Sequence, residues 1–468
     1  MLKMCREDRT SVIEQVKTGK LDAVELSTTN LVDEILLSMH DHGLLKCLEN
    51  GIVDTRAHNI TVPYSVVLTS AIAAKMKVQT SLTDIPYAIS DHRLLAKLGY
   101  ALVDKENGVG KSLMTEGSIR FLVGKYSAED FITGYNTTVQ KYIMPHMDMV
   151  PNIHILDCTD IEVNFQNTNY EKSGIGHSKR LAGGEEVYAR GYKLATLRGL
   201  VNDSGIIEEI RFGSLNTHDL MLSEEMLATT KVFKPGDILV NDRGFMSRYM
   251  MNYLKTVRCV DTYIPLRKSM DVYQVAVSVA TKENQWRNHP NKKFPTQRIS
   301  FVTDLGEYWR SEYEDEIPDV PINGCVVWDT ETDHYAVFVT TDTTKSAEMI
   351  LNTYSLRPEI EEDYRQLKDF WKLEDFKSTK YNMICFHIVC VLFGYLFFQL
   401  FTMLPEGEQY AHKSLPVLLK SYSAKSQSFV ILYEGSHFCI LELIELLDIF
   451  VICSNTTRTY IKEILAGR

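Results

Sequence analysis

The run from Tyr354 to Lys368, Tyr-Ser-Leu-Arg-Pro-Glu-Ile-Glu-Glu-Asp-Tyr-Arg-Gln-Leu-Lys, constrains this chain more than any other. Tyr354, Arg357, Glu361 and Lys368 follow one another at spacings of three, four and seven residues. At 3.6 residues per turn those steps return to one side of an α-helix, within an arc of roughly 60°. One face would then carry a phenol, a guanidinium, a carboxylate and an ammonium. Pro358 suits a first helical turn and disfavours helix in the residue before it, so Tyr354 and Arg357 fall in a lead-in and the helix proper starts at Pro358. Tyr364 and Arg365 add to the face of Glu361 and Lys368. The plain account of such a stretch is a solvated helix stitched by local ion pairs. A single carboxylate among several phosphate-seeking groups is nonetheless unusual, so partners must be sought elsewhere in the chain.

The 468 residues, 45% hydrophobic and 24% charged, have an ordinary globular composition, enough for roughly two to four domains. Nine cysteines without a C-x-x-C pair argue against a disulfide framework and against a zinc ribbon. The N-terminal residues carry no apolar core of the secretory kind, and the expectation is a reducing, cytoplasmic setting. With 50 Lys and Arg against 61 Asp and Glu, a uniformly basic DNA-coating protein is excluded. Local basic surfaces remain compatible with that balance, and a site that gathers carboxylates around metal ions would itself add negative charge. The apolar run from Met383 to Leu404 has about the length of a bilayer span. His387, Gly394 and Gln399 interrupt it and no second span accompanies it, so a buried core helix and no membrane are expected. Ile440 to Ile452 reads as a second packed helix.

Residues 1–145 read mostly as helices with short breaks, a pattern that suits a helix-turn-helix DNA module and equally any small helical region. The character changes after Pro151. Ile153 to Leu156 is a short apolar strand that delivers Asp157. A loop rich in glycine and basic residues follows, with Lys179 and Arg180, and then two strands, Tyr192 to Leu200 and Ile206 to Phe212, about an Asn-Asp-Ser-Gly turn. Asp237 to Asn241 is another short strand, and it delivers Asp242. From Ser269 to Thr353 the pattern is of alternating strands and turns, Val272 to Ala280 among them, far beyond the ~12–15 residues of an ordinary loop. It is expected to be an inserted β-rich unit.

Strand ends are where an α/β sheet exposes side chains to a crevice, so Asp157 and Asp242 can share a site. Glu361 can join them. Three clustered carboxylates repel one another and are tolerated mainly when divalent cations neutralise them, as in Mg²⁺ sites for phosphoryl transfer. Two such ions would polarise the scissile phosphate and activate an attacking water or hydroxyl.

The order Asp157 in Leu-Asp-Cys-Thr, Asp242 in Asn-Asp-Arg-Gly-Phe, a long β-rich stretch, then Tyr-x2-Arg-x3-Glu-x6-Lys resembles the DDE transposases of bacterial insertion sequences, in the group named for its Tyr-Arg-Glu-Lys motif. The likeness runs from about Ile153 to Leu404. It implies an α/β fold: an RNase H-like catalytic core, first part 146–268 and second part 354–404, interrupted by a β-rich insertion at 269–353. The helical N-terminal region 1–145 would bind terminal repeats, and the C-terminal helical region 405–468, with Ile440 to Ile452, would serve dimerisation. Asp157, Asp242 and Glu361 would be catalytic and would hold two Mg²⁺ ions, with Mn²⁺ able to substitute. Double-stranded DNA, both transposon terminal inverted repeats and target, would be the partner of a homodimer in a synaptic complex. The chemistry implied is cut-and-paste transposition, by strand cleavage and strand transfer.

In that resemblance Tyr354, Arg357, Lys368 and Arg365 contact DNA, arginine as a bidentate phosphate ligand and lysine as a point charge. Trp328, or Trp309 after it, is the candidate to stack on a flipped base, with a core position as the competing account. Glu362 neighbours Glu361, but the spacing to Lys368 favours Glu361. Thr217 or Asp219 is expected to cap the helix that follows His218, and Arg267 and Lys268 are candidates for the DNA path. A carboxylate-dependent glycosidase gives Tyr354, Arg357 and Lys368 no role, and a catalytically inactive, transposase-derived DNA-binding protein gives the three carboxylates none.

Overall fold

The computed structural model describes all residues except 1, 4–5, 55–61, 90, 103–113, 181–185, 202–203, 412, 422–426, 435–436 and 466–468. Two compact units divide the chain, one made of Met1–Thr138 with Gln366–Arg468, the other of Val139–Arg365.

The second unit is built on one mixed sheet. Its strands are β1 (Ile153–Val163), β2 (Gly174–Arg180), β3 (Glu186–Val201), β4 (Ser204–Ser214), β5 (Ile238–Asn241), β6 (Asp261–Pro265), β7 (Arg287–Asn288), β8 (Gln297–Val302), β9 (Asn323–Asp329) and β10 (His334–Thr340). Among the described residues they lie in the order β7-β8-β9-β10-β6-β5-β1-β3-β2, with β4 also on β3. The centre reads β4-β3-β1-β5-β6: the first three strands are antiparallel, and β5 and β6 run parallel to β1. β1 and β5 are buried on their apolar residues Ile155, Leu156, Leu239 and Val240, as a strand covered on both faces requires.

β1 is longer than the sequence suggests. Its pairing with β5 stops at Leu156 opposite Asn241, but its pairing with β3 continues from His154 to Val163. Asp157 therefore sits within a strand, at the point where its parallel neighbour ends.

Residues 269–353 supply β7 to β10, and these extend the same sheet through β10 against β6. The expected strand Val272 to Ala280 is instead part of a helix, α3 below, spanning Asp271–Glu283. The alternation of Val275, Val277 and Val279 imitates a strand. The side chains that are buried are Val272, Tyr273, Ala276 and Ala280, at helical spacing, and they pack on Val326, Val337 and Val339 of the sheet. The α-helices of this unit longer than a single turn are α1 (Asp219–Thr229), α2 (Arg248–Tyr253), α3 (Asp271–Glu283), α4 (Ala347–Tyr354) and α5 (Pro358–Arg365).

In the first unit the helix Tyr381–Met403 is, among the described residues, the one long and apolar enough to cross a membrane, and 94% of its most apolar window is buried in the protein. It is the core helix that the sequence leads one to expect. Helices Leu31–Asp41, Tyr64–Met76 and Ala128–Thr137 surround it, with Tyr135 on Phe393 at 4.9 Å between ring centroids. Gly394 is small because Trp371 and Met76 would stand 3.0 and 3.1 Å from a Cβ.

The ends of the chain depart from the helical expectation. Ala23–Thr28 pairs with Gln427–Tyr433, which pairs with His437–Glu442, which pairs with Arg6–Glu7. Ile440 to Glu442 thus belongs to a strand, and the helix starts at Leu443 and runs to Ile452. The buried partners that make it a strand, such as Val24, Ile431 and Leu441, come from segments some four hundred residues apart.

Within β1, His154 is fully buried between two carboxylates, 2.7 Å from Glu208 and 3.1 Å from Asp237. Burial alone would depress the imidazole, but the two carboxylates overcome it and raise its pKa to about 9. Burial likewise pushes Glu208 up. A folded pKa above the unfolded value stabilises at low pH, so this contribution is whole below about 6.5 and is lost as pH rises through about 9. The melting temperature is expected to fall across that window. His154→Ala should be about 3–5 kcal/mol less stable than wild type below it, the scale of a broken buried pair, and should lose the dependence. A variant melting with the wild-type pH slope would contradict this account.

Candidate active site

The register of the sheet brings the two aspartates together. Leu156 is the last residue of β1 paired with β5, and its partner Asn241 is the last of β5, so Asp157 and Asp242 are next in line on adjacent parallel strands. Each commits one carboxylate oxygen to the amide that follows it. Asp157 Oδ1 accepts from the Cys158 N–H at 2.9 Å, and Asp242 Oδ1 accepts from the Arg243 N–H at 2.6 Å, opening the short turn Arg243–Phe245. The other oxygen of each is turned towards Arg357: Nη2 lies 2.8 Å from Asp157 Oδ2 and 3.8 Å from Asp242 Oδ2.

Arg357 also donates through Nη1 to Glu361, four residues on. One guanidinium thus faces three carboxylates. Exposure rises across the group, from 11% for the Asp157 side chain and 16% for Arg357 to 36% for Asp242 and 56% for Glu361. The site is open on the glutamate side. Burial pushes Asp157 up to about 6 against the pull of Arg357 and of the Cys158 N–H. Burial opposes the charge on Arg357, but the three carboxylates outweigh it and raise its pKa.

The backbone around Arg357 answers the constraint set by Pro358. α4 ends at Tyr354, residues 355–357 turn, and α5 begins at Pro358. The Arg357 N–H donates to the Tyr354 carbonyl at 3.0 Å. Tyr354, Arg357, Glu361 and Lys368 accordingly do not share a face of one helix. Tyr354 closes α4, Arg357 stands in the turn, Glu361 lies in α5 and Lys368 lies in the π-helical turn Gln366–Phe370 that directly follows α5, where it pairs with Glu374 at 2.9 Å. Glu361 is the glutamate turned to Arg357, whereas Glu362 pairs with Arg365 at 2.5 Å. Arg365 is therefore engaged along its own helix.

Tyr354 is half-buried, its ring 4.7 Å from that of Phe338. Burial first, and then the charge of Asp242, push its phenol up to about 12, so it remains a hydrogen-bond donor at neutral pH. It lines a cleft of about 350 Å³ with Phe338, Phe294, His289 and Leu351. Trp328 stacks on Tyr335 at 6.1 Å with an interplanar angle of 5°, touches Trp286 at 5.3 Å and donates its Nε1–H to Asp333. Trp309 instead lies under Arg248, which also donates to its carbonyl. The side chains of Lys179 and Arg180 lie outside the described residues. Arg267 donates to the Arg243 carbonyl at 3.0 Å, and His218, not Thr217 or Asp219, caps α1.

The sequence gives little sign of what holds α5 in place. Tyr364 is buried, and its hydroxyl donates to the carbonyl of Asp157 at 2.7 Å and meets Thr196 Oγ1 on β3 at 2.7 Å. Arg198, also on β3, pairs with Asp363 at 2.6 Å and with Glu359 at 2.8 Å. The Glu359 and Asp363 spacing of four residues was the available signal, but nothing in the sequence attaches it to Arg198.

Three carboxylates form the all-oxygen donor set that hard divalent cations take. The fit is one of chemistry. As the side chains stand, no group of three or more His, Cys, Asp or Glu among the described residues is gathered closely enough to hold an ion.

Residues 149–397, just over half of the chain, match the model of a family described as a transposase DDE domain. No curated protein matches the chain.

Arg198→Met should cost about 3–5 kcal/mol through its broken buried pair and speed amide exchange across residues 358–365. Unchanged stability by denaturant titration would show that α5 is held by other means.

Proposed function

The chain belongs to the transposase DDE domain family, and on that premise we propose that it is a cut-and-paste transposase of an insertion sequence whose reacting centre is Asp157, Asp242 and Glu361. The observation that carries the assignment is the convergence of these three carboxylates on one cation, Arg357, at the point where the pairing of two parallel strands ends. The strand order β4-β3-β1-β5-β6, three antiparallel and two parallel, supports an RNase H-like core. The motif Tyr354, Arg357, Glu361, Lys368 supports membership of the Tyr-Arg-Glu-Lys group. The substrate is double-stranded DNA, first the terminal repeats and then the target, and the working form is a homodimer in a reducing, cytoplasmic setting.

Asp157, Asp242 and Glu361 would hold two divalent ions, Mg²⁺ with Mn²⁺ as substitute, which activate the attacking water or 3′-hydroxyl and stabilise the leaving oxygen. The rest of the work falls to the chain itself. The hydrogen bond from Tyr364 to the Asp157 carbonyl, with the Arg198 pairs, fixes α5 against β1 and so sets the position of Glu361. The amides of Cys158 and Arg243 fix the rotamers of the two aspartates. Arg357 presents a fork suited to two phosphate oxygens, and Tyr354, kept protonated, donates to a third. Lys368 adds a point charge for the backbone. The cleft beside Tyr354 and the Trp286, Trp328 and Tyr335 cluster offer flat aromatic walls on which a displaced base can stack.

Cleavage of DNA carrying the flanking terminal repeats tests this directly. The wild type should cut with Mg²⁺ and not in EDTA, and Asp157→Ala, Asp242→Ala and Glu361→Ala should each lose on the order of 10³-fold or more in rate. A single alanine variant that cuts at the wild-type rate removes that residue from the reacting centre.

A further inference from the structure

We infer that Arg357 is a latch on the carboxylate site, a built-in cation that occupies it without metal and must leave it before divalent ions can bind. This rests on the carboxylate reading proposed above but asks something further of the protein: two stations for one side chain. Four observations meet here. Asp157 Oδ1 is committed to the Cys158 amide, so its free oxygen is Oδ2, and Arg357 Nη2 sits on that oxygen at 2.8 Å. Asp242 repeats the pattern, with Oδ1 on the Arg243 amide and Oδ2 facing the same Nη2 at 3.8 Å. Nη1 takes Glu361. Nε–H is buried with no acceptor among the described residues, so the guanidinium is held by its fork and left unsatisfied at its stem.

The oxygens that an ion would need are those the fork occupies. A hard cation binds carboxylate oxygen at about 2.0–2.6 Å and demands it along the same lone pairs that the guanidinium now takes. Two like charges would also stand almost in contact. Metal and Arg357 therefore exclude one another, and metal entry frees a rigid two-pronged donor at the mouth of the site, where Glu361 is over half exposed. The freed fork suits a DNA phosphate. Binding of metal and of the phosphate backbone then favour one another, because each takes up what the other releases.

The test uses the full chain without DNA and reads Mn²⁺ affinity by calorimetry and by electron paramagnetic resonance of the free ion. Arg357→Gln should bind Mn²⁺ more tightly than wild type, on the order of tenfold, the scale of one charge-assisted hydrogen bond no longer to be broken. Arg357→Lys keeps the charge without the fork, serves as the second variant if the neutral one fails to fold, and should bind Mn²⁺ more tightly than wild type but less tightly than Arg357→Gln. Asp157→Asn and Glu361→Gln should bind more weakly than wild type. A second readout is a phosphate-backbone oligonucleotide lacking terminal-repeat sequence: its affinity should rise with Mn²⁺ for wild type and not for Arg357→Gln. If the Arg357 variants bind Mn²⁺ no more tightly than wild type while Asp157→Asn weakens it, the latch is wrong and the metal site stands. If Asp157→Asn and Glu361→Gln bind as wild type does, the carboxylate site itself fails, and the latch with it.

Discussion

Like charges gathered in a partly buried site repel one another, and the repulsion grows as water is excluded. Asp157, Asp242 and Glu361 are held together against that repulsion by a single guanidinium, with two backbone amides supporting the aspartates. The rest of the second unit is arranged to make this possible. The parallel register of β1 and β5 ends both pairings at one level, the turn before Pro358 swings Arg357 towards the strand ends, and α5 sets Glu361 on the open side.

The helix carrying Glu361 is charged on its exposed face and so cannot be placed by hydrophobic contact alone. Its inner side does that work with mixed chemistry. Ile360 is fully buried, Tyr364 reaches the main chain of Asp157, and Asp363 meets the buried Arg198. A buried ion pair is poor glue, since desolvation offsets most of its attraction, but it is directional. Direction is what a site requires when a displacement of one ångström separates a carboxylate that can reach its neighbours from one that cannot.

Much of the site was legible because it is local. Asp157 after an apolar strand, Asp242 after another and the spacing of Arg357 and Glu361 about Pro358 all lie within runs of a few residues. The helix at Asp271–Glu283 was not, because three alternating valines satisfy a period of two while the residues that bury follow a helical period. Only the sheet below could choose between them. Lys368 is a different case: the helical run that carries Glu361 goes on as the π-helical turn Gln366–Phe370, and there Lys368 meets Glu374, a partner that the spacing does not reveal.

By itself the sequence determined which residues carry charge and at what intervals, and where the backbone must break, since those properties belong to side chains and to proline irrespective of context. Tertiary structure decided the rest. It alone sets the end-to-end strand pairing between Ala23–Thr28 and Gln427–Tyr433, the attachment of Tyr364 and Arg198 beneath the glutamate helix, and the placing of Arg357 among three acids. Each joins segments more than a hundred residues apart, and the free energy that selects such pairs comes from burial and electrostatics in the folded state, which no local pattern encodes.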